Sequence, residues 1–288
     1  MKRFQIPRGV WWVAPAVGIL ALMSLYPLFF LVFTGFHSIS GEWTIRNFTR
    51  MASDRMLGEA FLHTAVFTVA ALVLELVCGL LLAILIDSLR RGRAVLRTAL
   101  LLPMLLPPVV AAVIWRLIYN PQFGLLNGTI RALGFNPSHL TWTSGEGGAL
   151  ASVILVDVWE WTPFVFLLIS AALQGLPQES LEAARVDGAS RWRIFFDIEL
   201  PLLRPVLALA AMLRGMDLIR IFDQVFILTQ GGPGFATETI SLYIYRTAFR
   251  FFDFGYASAM SLLLLVIATM LARGLVRQLR PIAAREAA

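Results

Sequence analysis

Residues that bind metals or form disulfides are scarce in this sequence. Its 288 residues include a single cysteine, Cys78, so an intrachain disulfide and a cysteine-ligated metal cluster are both excluded. The three histidines, His37, His63 and His139, lie far apart in the chain, and this spacing predicts no metal site. Because nucleophiles and metal ligands are so few, we also expect no catalytic residues, which argues against a membrane-embedded enzyme.

Charged residues are also few. They make up 15% of the chain, whereas a soluble domain has about 25%, and hydrophobic residues make up 58%. The mean hydropathy is +0.76. A soluble protein of this length would need much more polar surface to cover its core, so the composition predicts a protein whose main solvent is the lipid bilayer.

The N-terminal apolar run lacks the features of a cleaved signal peptide. It extends from Val10 to Phe33, whereas a signal-peptide core has about 7–15 residues, and no small-residue cleavage site ends it. We therefore expect a retained first span. A spanning helix needs about 20 predominantly apolar residues. Six segments meet this criterion and predict an all-α polytopic membrane protein: Val10–Phe33, His63–Ile86, Ala99–Tyr119, Leu150–Leu173, Val206–Leu228 and Tyr256–Val276.

Basic residues are distributed unevenly between the predicted loops. With the N-terminus in the cytoplasm, 15 of the 24 basic residues fall in cytoplasmic segments and 6 in outer ones. Cytoplasmic loops of membrane proteins carry an excess of Lys and Arg, so we predict that both termini are cytoplasmic. The same clustering accounts for the net charge of +6 without a nucleic-acid partner. No long internal repeat is evident, and residues 1–288 are expected to form a single transmembrane domain.

The longest cytoplasmic loop lies between predicted spans 4 and 5, at residues 174–205, and its pattern is a helix, a sharp turn and a second helix. Gln178–Val186 has good helix-forming residues. Gly188 can adopt the left-handed conformation that often ends a helix, and Ser190 can cap a second helix over Arg191–Asp197. Such a loop is either a docking device for a cytoplasmic protein or an amphipathic segment resting on lipid headgroups.

Within this loop, three blocks separated by three and nine residues form a motif: Glu182-Ala183-Ala184, Gly188 and Ile198-Glu199-Leu200-Pro201. The motif resembles the EAA motif of the permeases of ABC importers. Further segments are similar to the carbohydrate-uptake branch of that family: Asp187–Ala189, Pro205, Arg214–Asp223, Leu228–Gly234, Thr237–Thr239 and Tyr243–Tyr245. Together the resemblance covers about residues 10–278.

The resemblance implies a division of labour among several chains. This chain would be a permease of the bacterial cytoplasmic membrane, paired with a second, non-identical permease. Each permease would dock its loop into one of two cytoplasmic ATPase subunits, and an extracytoplasmic binding protein would deliver the carbohydrate. The implied ATPase-coupling residues are Glu182, Ala183, Ala184, Asp187 and Gly188. Because the sequence has no G-x-x-x-x-G-K-[ST] motif, we expect ATP and magnesium to bind the partner ATPase, and this chain to bind no cofactor.

The fifth predicted span carries ionisable residues, which are costly in lipid and usually face a cavity or a partner. On one continuous helix, Arg214 would share half of the circumference with four candidates for the substrate path, which are Asp217, Arg220, Asp223 and Gln224. These side chains could form hydrogen bonds with sugar hydroxyl groups. Equally, the two aspartates could pair with the two arginines and hold the fold.

The fourth predicted span adds Trp159 and Trp161, whose rings could stack on a sugar, although packing is the commoner role of a tryptophan at this depth. Glu75 in the second span requires an internal partner. Neither Glu75 nor Glu160 can be given a role from the sequence.

The sequence leaves open whether this permease or its partner contacts the substrate, and whether the two permeases are identical. The transporter class and the cargo also have alternatives. A secondary transporter would also place charges within the membrane, but it would commonly show two related halves, and no such repeat is evident. The cargo could be a disaccharide, a monosaccharide, a sugar alcohol or a glycerol phosphate.

Overall fold

The computed structural model describes residues 10–38, 41–89, 91–137, 140–145 and 148–286. This part of the chain is mostly helical and contains no β-strand, only one isolated bridge between His37 and Trp43. Lys2, Arg3, Arg8, Arg90 and His139, which entered the charge and metal arguments, lie outside the described residues.

Thirteen α-helices can be followed through the described ranges. In chain order they are α1 Val10–Gly35, α2 Arg46–Met51, α3 Arg55–Asp87, α4 Arg93–Leu101, α5 Pro108–Ile118, α6 Leu125–Ala132, α7 Ala149–Gln174, α8 Gln178–Val186, α9 Arg191–Ile194, α10 Leu200–Leu218, α11 Asp223–Leu228, α12 Ile240–Phe249 and α13 Phe254–Glu286. Among the described residues, α1, α3, α7 and α13 are each long and apolar enough to cross a membrane, and α4 with α5 would form a fifth span if this bent pair is counted as one. These helices correspond to five of the six predicted spans.

The third predicted span, Ala99–Tyr119, is not one helix. α4 ends at Leu101, a 3₁₀ turn covers Pro103–Leu105, and α5 begins at Pro108 at an angle of 98°. Proline removes a backbone donor and forces the preceding residue out of the helical region, so consecutive prolines break the helix instead of bending it. Accordingly, Pro107 is extended, with ψ 140°.

The fifth predicted span, Val206–Leu228, is also wrong as one continuous helix. It divides into α10 and α11, with a break at residues 219–222. The last turn of α10 tightens, since the Arg220 amide donates to the Asp217 carbonyl over 3.0 Å. At the break, the Thr239 hydroxyl donates to the Ile221 carbonyl over 3.2 Å, which satisfies a group that a continuous helix would have bonded internally.

The segment before α10 also differs from the helix predicted for it. The predicted second helix of the loop, Arg191–Asp197, ends as an α-helix at Ile194. Phe195–Glu199 continues with π-helical bonding and runs directly into α10. The cap itself is as predicted, because the Ser190 side chain accepts a hydrogen bond from the Arg193 amide at 3.3 Å.

Two compact units make up the chain. Among the described residues, one contains those up to Arg55 together with Ile244–Ile267, and the other contains those of Met56–Tyr243 together with those after Ile267. In the first unit, the Asn47 side chain donates to the Gly35 carbonyl over 2.9 Å, and Arg50 pairs with Asp253 at 2.8 Å.

In the second unit, α3, α7 and α10 share an apolar core of buried residues, listed here: Ala83, Ile86, Val165, Phe166, Ile169, Leu203 and Ala210. Gly79 brings α3 close to α7, since a Cβ atom there would lie 2.6 Å from a methyl group of Val165. Small residues at membrane helix interfaces allow such close backbone approach. This packing brings polar residues of the three helices within hydrogen-bonding reach of one another.

Candidate functional site

A buried ionic cluster joins the three packed helices. Arg214 on α10 forms a bidentate pair with Glu75 on α3, at 2.7 and 2.8 Å, and donates to Asp157 on α7 over 2.8 Å. The exposed fractions of the three side chains are 2%, 0% and 1%. Charges removed from water need such close partners, and the planar guanidinium can serve two carboxylates at once. The internal partner predicted for Glu75 is therefore confirmed, while the role of Asp157 was missed.

A second buried pair attaches α11 to α7. The Gln224 amide donates to a carboxylate oxygen of Glu160 over 2.7 Å, and both side chains are fully buried. Gln224 therefore fixes the short helix that follows the break. This contact gives Glu160 a structural role that the sequence did not reveal.

A cavity of about 180 Å³ lies beside the break between α10 and α11. Its lining residues come from α5, α7, α10, α11 and the break itself: Pro108, Asp157, Trp161, Arg214, Asp217, Leu218, Arg220, Ile221, Phe222, Asp223 and Gln224. Asp217 and Arg220 pair at 3.1 Å, and their side chains are 55% and 62% exposed. The Trp161 ring packs under the guanidinium of Arg214, with 4.6 Å from Cζ to the ring centroid. The cavity thus presents both charge signs and one aromatic face.

Five of the six substrate-path candidates line this cavity. Asp223 and Gln224 line it from α11, beyond the break, and so do not share a continuous helical face with Asp217. Trp159, the sixth candidate, instead packs edge-on against Trp115, with ring centroids 5.5 Å apart.

The alternative, in which the two aspartates of the fifth predicted span pair with its two arginines, is met in part. Asp217 pairs with Arg220 and lies 3.9 Å from Arg214. The main partners of Arg214, Glu75 and Asp157, come from other helices. The sequence did contain a signal for the role of Asp157, because an aspartate within an apolar span usually has a buried partner.

The first two blocks of the EAA-like motif lie on α8 and its C-terminal turn, and the third block joins the π-helical segment to α10. The Gly188 amide donates to the Arg185 carbonyl over 3.1 Å, and the Ala189 amide donates to the Ala184 carbonyl over 3.0 Å. With Gly188 at φ +76°, these two bonds form a Schellman motif. Glu182 and Ala183 are exposed, whereas Leu181 is buried. The helix is therefore anchored on one side and presents the motif on the other.

Among the residues that the structure describes, no group of three or more His, Cys, Asp and Glu side chains could hold a metal ion. The carboxylates of Glu75 and Asp157 already accept hydrogen bonds from the guanidinium of Arg214.

Comparison with known proteins adds an independent finding. A family model described as binding-protein-dependent transport system inner membrane component matches residues 75–281. The probable ABC transporter permease protein y4oQ of Sinorhizobium fredii is 35% identical over 290 residues, covering 96% of this chain and 92% of that protein. The trehalose/maltose transport system permease protein MalF of Thermococcus litoralis is 39% identical over 223 residues, covering 77% and 75%.

A solved structure has the same fold. It is the bacterial alginate ABC transporter in complex with an alginate pentasaccharide-bound periplasmic protein. The matching chain has a TM-score of 0.83 and 21% identity, and the match covers 95% of this chain and 94% of that one. At this level of identity the likeness shows a shared fold.

Proposed function

This chain belongs to the family of binding-protein-dependent transport system inner membrane components, and we infer that it is the permease subunit of an ATP-driven importer for a carbohydrate. The observation that carries the inference is the family match over residues 75–281 together with 39% identity to a trehalose/maltose permease. Family membership argues against the alternative of a secondary transporter. The protein is a multi-pass component of the bacterial inner membrane.

We propose six spans, with both termini in the cytoplasm and residues 1–288 acting as one transmembrane domain. α10 serves as the fifth span, because its 19 residues extend about 28 Å and a hydrocarbon core is about 30 Å thick. The broken pair α4 and α5 serves as the third. In this arrangement α8 and α9 lie on the cytoplasmic side between spans 4 and 5.

For the complete importer we propose a second, non-identical permease, two copies of a cytoplasmic ATPase and an extracytoplasmic binding protein. ATP and magnesium are bound by the ATPase, and the ATPase-coupling residues are Glu182, Ala183, Ala184, Asp187 and Gly188. Exposure of the motif on α8 supports this proposal, since small alanines allow close approach and Glu182 offers a carboxylate to a basic residue. Closure of the ATPase subunits would then move the two loops together and switch the accessible side of the pathway.

The cavity beside the helix break is the proposed substrate contact. Sugars combine hydroxyl groups with apolar ring faces, and the cavity combines the carboxylates of Asp217 and Asp223 with the Trp161 ring. Arg220, also exposed there, can donate further hydrogen bonds. Trp159 is a weaker candidate because it packs against Trp115.

Replacing Asp217 by asparagine is expected to lower ATP-driven saccharide uptake about tenfold while the complex still assembles. The change keeps the shape of the side chain, and loss of an exposed ion pair with Arg220 costs about 1 kcal/mol or less. The measurement is uptake of radiolabelled saccharide by proteoliposomes that contain the complete complex. Asp197→Asn is the control, since Asp197 belongs to a similarly exposed pair with Arg193 outside the cavity. Unchanged uptake by Asp217→Asn would remove Asp217 from the substrate path.

A further inference from the structure

A second cavity, of about 430 Å³, lies where the ends of α3 and α7 meet α8 and α9. Four charged side chains line it, Asp87 on α3, Arg185 on α8, Arg191 on α9 and Glu199 just before α10. None of these residues takes part in the substrate cavity, and only Arg185 lies on the helix that carries the coupling motif.

Two arginines and two carboxylates line this cavity, but one of the carboxylates is already engaged by an arginine outside the lining. Asp87 is already paired with Arg93. Burial raises the pKa of the Glu199 carboxyl above its usual value, although Arg191 and Arg185 oppose the shift. Among the described residues, neither Arg185 nor Arg191 has an ion-pair partner. The two guanidinium groups therefore share this cavity with one carboxylate that is not engaged elsewhere, Glu199, and neither forms an ion pair with it.

We propose that Arg185 and Arg191 bind the phosphate group of an anionic phospholipid in this cavity. Guanidinium groups match phosphate oxygens in a bidentate geometry, and basic pockets between membrane helices on the cytoplasmic side bind acidic lipid headgroups. The volume also exceeds what a few water molecules need.

The surface beside the cavity supports a lipid as the source of the phosphate. Trp192 and Phe196 are exposed and stack with ring centroids 6.0 Å apart, and Leu85, Leu89 and Leu202 are also exposed. Acyl chains could lie along these apolar side chains, and tryptophan favours the headgroup level of a bilayer. This assignment rests on the proposed topology, which puts these helix ends at the cytoplasmic leaflet.

A lipid in this position would connect the coupling loop to the body of the permease. Arg185 lies three residues beyond Glu182, and Arg191 begins α9 after the Gly188 turn. The phosphate would hold both arginines near Asp87 and Glu199, which α3 and the π-helical segment position. Anionic lipid would thus restrict the motion of α8 and α9, through which movement of the ATPase is transmitted to the spans.

Native mass spectrometry of the detergent-solubilised complex, incubated with phosphatidylglycerol or with phosphatidylcholine, tests the proposal. The wild-type complex is expected to retain phosphatidylglycerol at least about tenfold more strongly than phosphatidylcholine, because the neutral headgroup lacks net charge. The double variant Arg185→Gln with Arg191→Gln is expected to lose this preference. Arg193→Gln is the matched control, since Arg193 is exposed on α9, pairs with Asp197 and does not line the cavity.

Equal retention of the two lipids by the wild-type complex would overturn the proposal without any variant, so a double variant that fails to assemble does not prevent the test. Retention by the double variant equal to that of Arg193→Gln would also overturn it. Inorganic phosphate at millimolar concentration distinguishes the sources: if it displaces the lipid, the site belongs to a soluble phosphate and the lipid assignment is wrong. Lipid retention is measured without transport. The lipid proposal can therefore fail while carbohydrate uptake persists, and carbohydrate uptake can fail while lipid retention persists.

Discussion

Replacing Arg214 by methionine is expected to destabilise the protein by about 3–5 kcal/mol, because Glu75 and Asp157 would stay buried without their counter-ion. The two carboxylates lie on different helices, so the change also weakens the contact between α3, α7 and α10. We expect a severe loss of assembled complex. The measurement is the melting temperature and yield of the purified complex by fluorescence-detected size-exclusion chromatography.

Neutralising the whole cluster provides the control for that experiment. The triple variant Arg214→Met, Glu75→Gln and Asp157→Asn removes every charge while keeping most of the volume. Replacing a complete buried ion cluster by neutral groups is often tolerated, whereas removing one member is not. The triple variant should therefore be more stable than Arg214→Met alone. If Arg214→Met alone matches the wild type, the cluster does not hold the three helices together.

Replacing Gly188 by valine is expected to lower substrate-stimulated ATPase activity of the complex about tenfold. Gly188 has φ +76°, a conformation that costs about 1–2 kcal/mol for ordinary residues and more for a β-branched one. The turn would relax, the two Schellman bonds would be lost, and the exposed motif on α8 would be displaced from its partner. The measurement is ATPase activity in lipid with and without loaded binding protein.

Gly188→Asn separates the backbone effect from a simple change of side chain. Asparagine tolerates the left-handed conformation, and a Cβ atom at this position would meet no other atom within 4 Å. We therefore expect Gly188→Asn to retain most of the stimulated activity. Equal, wild-type activity in both variants would show that the geometry of this turn does not matter for coupling.

Local signals in the sequence were sufficient for several elements. The helix Gln178–Val186 was predicted with the bounds that the structure has, because helix-forming residues end at an Asp-Gly turn whose glycine must be left-handed. The first and fourth predicted spans also agree closely with α1 and α7, since each is a long apolar run without a break. Periodicity, caps and turns depend on interactions between residues close in the chain, so they can be predicted from the sequence alone.

The third predicted span is broken at its prolines, and the fifth was wrong as one continuous helix, because hydropathy counts apolar residues and ignores the path of the backbone. The pair Pro107-Pro108 was visible, but the angle that follows depends on the packing of α5. The break after Leu218 is stabilised by Thr239, which lies far along the chain from the break. Interactions of that kind leave no periodic signal.

Five of the eleven residues that line the candidate cavity were substrate-path candidates from the sequence, but their arrangement was not predicted. A helical wheel grouped Asp217 with Asp223 and Gln224, yet α11 brings the last two residues to the cavity from beyond the break. Gln224 is fully buried on Glu160 instead of facing an open path. The cost of burying charge predicted that Glu75 has a partner, but finding Arg214, 139 positions later, required the fold.

The most direct test of the account is uptake of labelled saccharides, including trehalose and maltose, by proteoliposomes containing this permease with its partner permease, ATPase and binding protein. We expect accumulation of at least one saccharide, which requires ATP on the ATPase side and the binding protein on the other side and persists when ion gradients are collapsed. Uptake that ignores ATP and follows an imposed proton or sodium gradient would contradict it.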